Sequence, residues 1–123
     1  MAGLPMRWTT WAVSGSQWAV TFELRDDNGG PMNISGKAFE FVVCPTAADT
    51  TTPPLIKVTT VSSAQGYITV DTTTATVQVV LSPAATALLG RGAHGHALWM
   101  DPGLPTAENL VEGTFNSLSA SAA

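Results

Sequence analysis

From Gln17 to Arg25 the chain alternates without a break. Trp18, Val20, Phe22 and Leu24 fall on one side, and Gln17, Ala19, Thr21, Glu23 and Arg25 on the other. A period of two over this length is the mark of a β-strand with one buried face. The chain is thereby committed to a sheet that needs a second layer over Trp18 and Phe22.

Lys37 to Val43 repeats the pattern through Phe39, Phe41 and Val43, and Val42 makes the opposite face partly apolar. Leu55 to Val61 is rich in β-branched residues. Tyr67 to Asp71, Thr76 to Leu81, Ala93 to Met100 and Leu110 to Phe115 read as further strands. Trp8 and Trp11 are three apart, which breaks the period; a bulged strand would return both rings to the core side. Turn signals separate these runs at Ser14-Gly15-Ser16, Asp26 to Gly36, Pro53-Pro54, Ala64-Gln65-Gly66 and Asp101-Pro102-Gly103. Many short strands at this spacing predict an all-β sandwich or barrel. The one helix predicted spans about 83–89: Ser82 caps it, Pro83 opens it and Gly90 follows its end. Thr46 to Pro54 reads as a polar, mobile loop.

At 123 residues the chain fits one domain. That domain is expected over 1–118, with 1–16 as an N-terminal strand or arm and 119–123 as a flexible tail that frays or docks on a partner. Charged residues make up only 11%, and Arg7, Arg25, Lys37, Lys57 and Arg91 are scattered within a net charge of -4. A nucleic-acid backbone needs several cations on one face, so nucleic acid is not an expected partner. No apolar run reaches the ~20 residues of a membrane helix, and the N-terminus does not read as a signal peptide. The thiol of Cys44, the single cysteine, is expected to be buried and inert. Sparse charge lowers the cost of being covered by a neighbouring protein.

The residues that could carry chemistry are few. Asp26, Asp27, Asn28 and Asn33 could offer oxygens to calcium, but Met32 and Ile34 stand where ligands would be needed and no closing Glu follows. A turn is the favoured reading, with Gly29 and Gly30 supplying positive φ. His94 and His96 project to one face of a strand and could hold zinc given a third ligand, with Asp71 or Glu112 as distant possibilities. Exposed or interfacial rings are favoured instead. No nucleophile elbow or phosphate loop is present, so no catalytic residue and no cofactor is assigned, and the chain is read as a non-enzyme. Of the four Trp residues, Trp18 is in phase with the core. Trp99 either lies flat across its strand or meets a partner. Trp8, Trp11, His94, His96 and Trp99 are the interface candidates.

The order of segments resembles a known family. Trp18-Ala19-Val20-Thr21-Phe22-Glu23-Leu24 runs into Asp26-Asp27-Asn28-Gly29-Gly30-Pro31-Met32-Asn33-Ile34-Ser35-Gly36, similar to a "D-x-N-G-x-P-x-D-L-T-G" stretch. Leu81, Ser82, Thr86, Leu88 or Leu89, and Gly92 match "L-S-x-x-x-T-x-x-L-x-x-G". A strand with Leu98-Trp99 and a closing Leu110-Val111-Glu112-Gly113-Thr114-Phe115 complete the series. This resembles the immunoglobulin-like β-sandwich domains of tailed-phage virions, namely the N-terminal domain of upper baseplate proteins and short minor tail proteins. It covers about residues 17–116. His94 and His96 replace an aromatic pair usual in that family.

The resemblance implies an immunoglobulin-like antiparallel sandwich of seven to eight strands. It also implies a structural subunit of the virion, at the tail tip or baseplate, made in the host cytoplasm. Its partners would be other tail and baseplate proteins, with several copies arranged under the tail's symmetry. The alternative is a receptor- or host-glycan-binding module, or a head decoration protein, on the same scaffold.

Overall fold

The structure is a computed structural model and describes residues 6–26, 28–45, 54–89 and 91–118. Of the loop read over Thr46 to Pro54, residues 46–53 lie outside the described residues, as does the tail Ser119 to Ala123.

Among the described residues nine strands and one short helix follow in order. They are β1 (Met6–Arg7), β2 (Thr10–Val13), β3 (Trp18–Glu23), β4 (Phe39–Cys44), β5 (Ile56–Thr59), β6 (Gly66–Asp71), β7 (Thr76–Leu81), α1 (Pro83–Ala87), β8 (Gly92–Met100) and β9 (Glu108–Leu118). One sheet runs β1-β9-β8-β4-β5, with β2 also on β9, and the other runs β3-β7-β6. This is an immunoglobulin-like sandwich, in which the second, fourth and fifth strands of the constant-type order share one sheet and the third, sixth and seventh the other. The first strand has moved. It lies as β1 and β2 along β9 rather than beside β3, and the two pairings are parallel, an exception to the all-antiparallel expectation. The chain turns directly from β2 into β3 of the opposite sheet, so β2 must end where β9 ends. The Ser14 amide donates to the Leu118 carbonyl at 2.9 Å there.

The core forms where the period-two faces meet. Phe39, Phe41, Val43, Ile56, Val58, Val77, Val79, Leu81, Leu98, Val111 and Phe115 are all buried. At its centre three rings stack: Trp18 on Phe41 (centroids 5.6 Å apart, 26°) and Phe41 on His96 (5.7 Å, 24°). Phe115 tilts against Trp18, and Trp8 sets its edge on Phe22 and His96. Antibody domains pin the corresponding strands with a disulfide covered by a Trp. With one cysteine this chain uses rings, each pair contributing about 0.5–1.5 kcal/mol beyond area burial.

The Asp26 to Gly36 stretch is a turn. Asp26 Oδ1 accepts from the amides of Asn28 (2.9 Å) and Gly30 (3.0 Å), and Gly29 takes φ +80. Asn33 Oδ1 accepts from the Ser35 amide, and Ile34 plugs the core at 1% exposure. The helix begins as its residues predict: the Ser82 hydroxyl accepts from the Ala85 amide, and Pro83 follows the cap. It is two residues shorter than expected, ending at Ala87. Thr86 ties it to the β2–β3 turn, donating to the Ser16 carbonyl at 2.8 Å and accepting from the Gly15 amide at 3.1 Å. At the far end of β8, buried Asp101 adopts φ +52 and clamps the approach to β4. Its Oδ1 accepts from the Ala38 amide, and its Oδ2 from Thr106 and Lys37.

Candidate functional site

The inward and outward phases of β8 sort the candidate residues. His94, His96, Leu98 and Met100 point into the sandwich, and Ala93, Gly95, Ala97 and Trp99 point out. The histidines do share a face, but the expected exposed or interfacial placement is corrected: His96 is 3% exposed and His94 9%. The same strand phase that carries Leu98 and Met100 into the core carries them too.

His96 Nε2 donates to the Trp8 carbonyl at 2.7 Å, which fixes the tautomer, because a carbonyl can only accept. Its Nδ1 is buried and without a partner. Burial lowers the His96 pKa below its ordinary 6.5, outweighing the Trp8 hydrogen bond and the Glu112 charge, which act to raise it. The ring is therefore a neutral core element. His94 Nδ1 donates to the Pro45 carbonyl at 2.9 Å. Among the described residues no group of three His, Cys, Asp or Glu side chains is placed to hold a metal ion. Glu112 lies on the outer face, paired with Arg7 at 3.3 Å, and Asp71 lies in the other sheet.

Trp8 is also an inner residue, half-buried against Trp18, Phe22 and His96. Its carbonyl approaches β9 so closely that a Cβ on Gly113 would sit 2.0 Å from the oxygen. The bulge expected to bring Trp8 and Trp11 to one side is absent: the register to β9 is the same before and after Trp8-Thr9. Trp11 accordingly faces out. The bulge in this sheet lies instead between β8 and β9, where Leu98 pairs with Val111 and Trp99 with Asn109.

The six-stranded sheet presents its outer face to solvent. Its charges are matched, Arg7 with Glu112 and Lys57 with Glu40. Trp99 is half-buried, in register with Glu40 and Asn109. At the β2–β9 corner Trp11 is 60% exposed, Val13 40% and Leu118 44%. Val13 and Leu118 are direct register partners, and Trp11 sits opposite Asn116 with Ala93 beyond it. Thus β2 buries Thr10 and Ala12 and exposes Trp11 and Val13, the reverse of what hydrophobicity would choose. Two contacts hold this phase: the Trp18 indole N–H donates to Thr10 Oγ1, and Asn116 Nδ2 donates to the Thr10 carbonyl. Of the five interface candidates, Trp11 and Trp99 lie on the outer face. Val13 and Leu118 escaped sequence reasoning because only the parallel β2–β9 pairing makes them neighbours.

No protein-family model matches the chain, and no curated protein is significantly similar to it.

Proposed function

We propose that this chain is a structural subunit of a virion, a minor tail protein of the tail tip or baseplate, whose work is to hold neighbouring tail proteins. The observation that carries the reading is the reversed amphipathicity of β2. A monomer gains nothing by turning Trp11 and Val13 to water while burying Thr10 and Ala12. A subunit covered by a neighbour gains the burial of all three exposed apolar side chains at that corner, about 1.5–3 kcal/mol for each fully buried large side chain. The matched charges on the rest of the face suit a covered surface, since paired groups cost less to desolvate than lone ones. The segment order shared with small tail and baseplate sandwich domains supplies the setting: a particle, several copies and other tail proteins as partners.

A second reading, a glycan-binding module, draws on the same Trp11 ring, which could stack on a sugar with Asn116 at its side. Co-expression with the products of adjacent genes separates the two. The assembly reading predicts that the chain co-purifies with a tail protein and that Trp11→Glu abolishes this without lowering the melting temperature. Quenching of Trp11 fluorescence by saccharides, with no retained tail protein, would overturn it.

A further inference from the structure

The relocation of the first strand leaves an unfilled position. In the constant-type order that strand covers the edge occupied here by β3, a six-residue strand that pairs only with β7. The Leu24 amide donates to the Ala75 carbonyl at 2.8 Å, and the antiparallel register pairs Phe22 with Val77, Val20 with Val79 and Trp18 with Leu81. In such a ladder the even-numbered residues bond to β7, so the N–H and C=O groups of Ala19, Thr21 and Glu23 point away from it. None of these backbone groups is bonded within the described residues. The loop after β3 leaves this side clear, because it folds back on the even-numbered side, where the Met32 amide donates to the Leu24 carbonyl. The opposite side of the sandwich is treated differently. There the Gln65 side chain accepts from the Lys57 amide at 3.0 Å and donates to the Leu55 carbonyl at 3.2 Å, capping the edge of β5. Ser63 pairs both ways with Gly66 at the start of β6.

We propose that the edge of β3 pairs with β3 of a second copy of this chain, antiparallel, about a two-fold axis at Thr21. The inference rests on the assembly reading only for its setting; its chemistry is independent of the Trp11 corner. This register is the one that uses every open group. Thr21 exchanges both backbone bonds with Thr21 of the second copy, and Ala19 does so with Glu23 of the second copy, in both directions. Strand edges free of Lys and Pro are open to such pairing, and Trp18–Glu23 contains neither. Its side chains are self-compatible: Thr opposes Thr, a favourable cross-strand pair, and Glu23 opposes Ala19 rather than a like charge. Arg25, ion-paired to Glu23, falls opposite Gln17. On the inner face the half-buried Val20 would meet Phe22 of the second copy, completing its cover. The two three-stranded sheets become one continuous sheet.

Disulfide trapping tests the geometry. Residues in a hydrogen-bonded antiparallel pair have Cα atoms about 5.5 Å apart, inside the ~4.4–6.8 Å that a disulfide spans. In a Cys44→Ala background, Thr21→Cys is expected to form a covalent dimer under mild oxidation, at least about tenfold faster than Thr69→Cys, an exposed position on the far strand β6. By sedimentation, the wild-type chain should dimerise as concentration rises. Thr21→Pro should stay monomeric with an unchanged β-sheet spectrum, because its lost N–H is one the internal ladder does not use. Equal cross-linking of the two cysteine variants, a wild-type chain monomeric up to about 1 mM, or an undiminished Thr21→Pro dimer would each overturn the proposal. Should the dimer fail while the Trp11-dependent tail-protein contact persists, only this inference falls; the converse result sinks the assembly reading alone.

Discussion

The Trp8 carbonyl and the His96 imidazole meet at 2.7 Å inside the sandwich, joining the N-terminal strand to the centre of the ring stack. One backbone group thereby ties the relocated first strand to a titratable core residue.

Acid should loosen this tie. His96 is kept neutral in the fold, with its pKa lowered chiefly by burial. The unfolded chain takes up that proton near pH 6.5, and the folded chain only at lower pH. The contribution is therefore intact above about pH 6.5 and is lost as pH falls from there toward the folded-state value. Urea titrations followed by Trp fluorescence should show wild-type stability declining below about pH 6.5, with this part of the decline absent in His96→Leu. At pH 7.5 His96→Leu should itself cost about 1–3 kcal/mol, because the Trp8 carbonyl is left without its donor.

Gly113 should tolerate no side chain. A Cβ there meets the Trp8 carbonyl oxygen at 2.0 Å, and the contact is backbone on backbone, so nothing flexible can yield. Gly113→Ala is expected to destabilise by about 1–3 kcal/mol and to speed hydrogen exchange at the Trp8 amide, which donates to the Glu112 carbonyl. Unchanged exchange at that amide would contradict the close approach.

Thr86 should matter more than its place in a one-turn helix suggests. It is fully buried, and its hydroxyl serves both Ser16 and Gly15. Thr86→Val keeps the shape and strands both partners, at a cost of about 1–3 kcal/mol. Ser82→Ala, which removes the cap, should cost about 1 kcal/mol. Thermal melts of the two variants check the order.

Asp101 defines a second, lower pH window. Its carboxyl is held below the ordinary carboxylate value, first by the Ala38 amide and then by Lys37 and Thr106, against the opposing effect of burial. Its contribution is present above the unfolded value of about 4 and is lost as pH falls through the folded one. Asp101→Asn should flatten the stability curve in that range and leave the His96 window untouched.

Much of the architecture was legible because it rests on local alternation. Thr76 to Leu81 is a strand with the predicted bounds, and Trp18, Phe22, Phe39 and Val79 are buried as their phase required. The strands without clean alternation misled. In Arg7 to Val13 both phases carry a Trp, and the choice between them is made by contacts of Thr10 with Trp18, in the next strand, and with Asn116, near the other end of the chain. His94 and His96 read as surface because imidazole is polar. Yet the Pro45 and Trp8 carbonyls that accept their protons come from other elements, and no local pattern announces them. The outer corner of Trp11, Val13 and Leu118 was illegible for the same reason, since its members lie at opposite ends of the chain.

The most direct measurement is an electron-microscopy map of the intact tailed particle. The account predicts this sandwich at the tail tip or baseplate, repeated about the tail axis, with Trp11, Val13 and Leu118 covered by a neighbouring protein. Particles that lack the chain, or that carry it with this corner open to solvent, would contradict it.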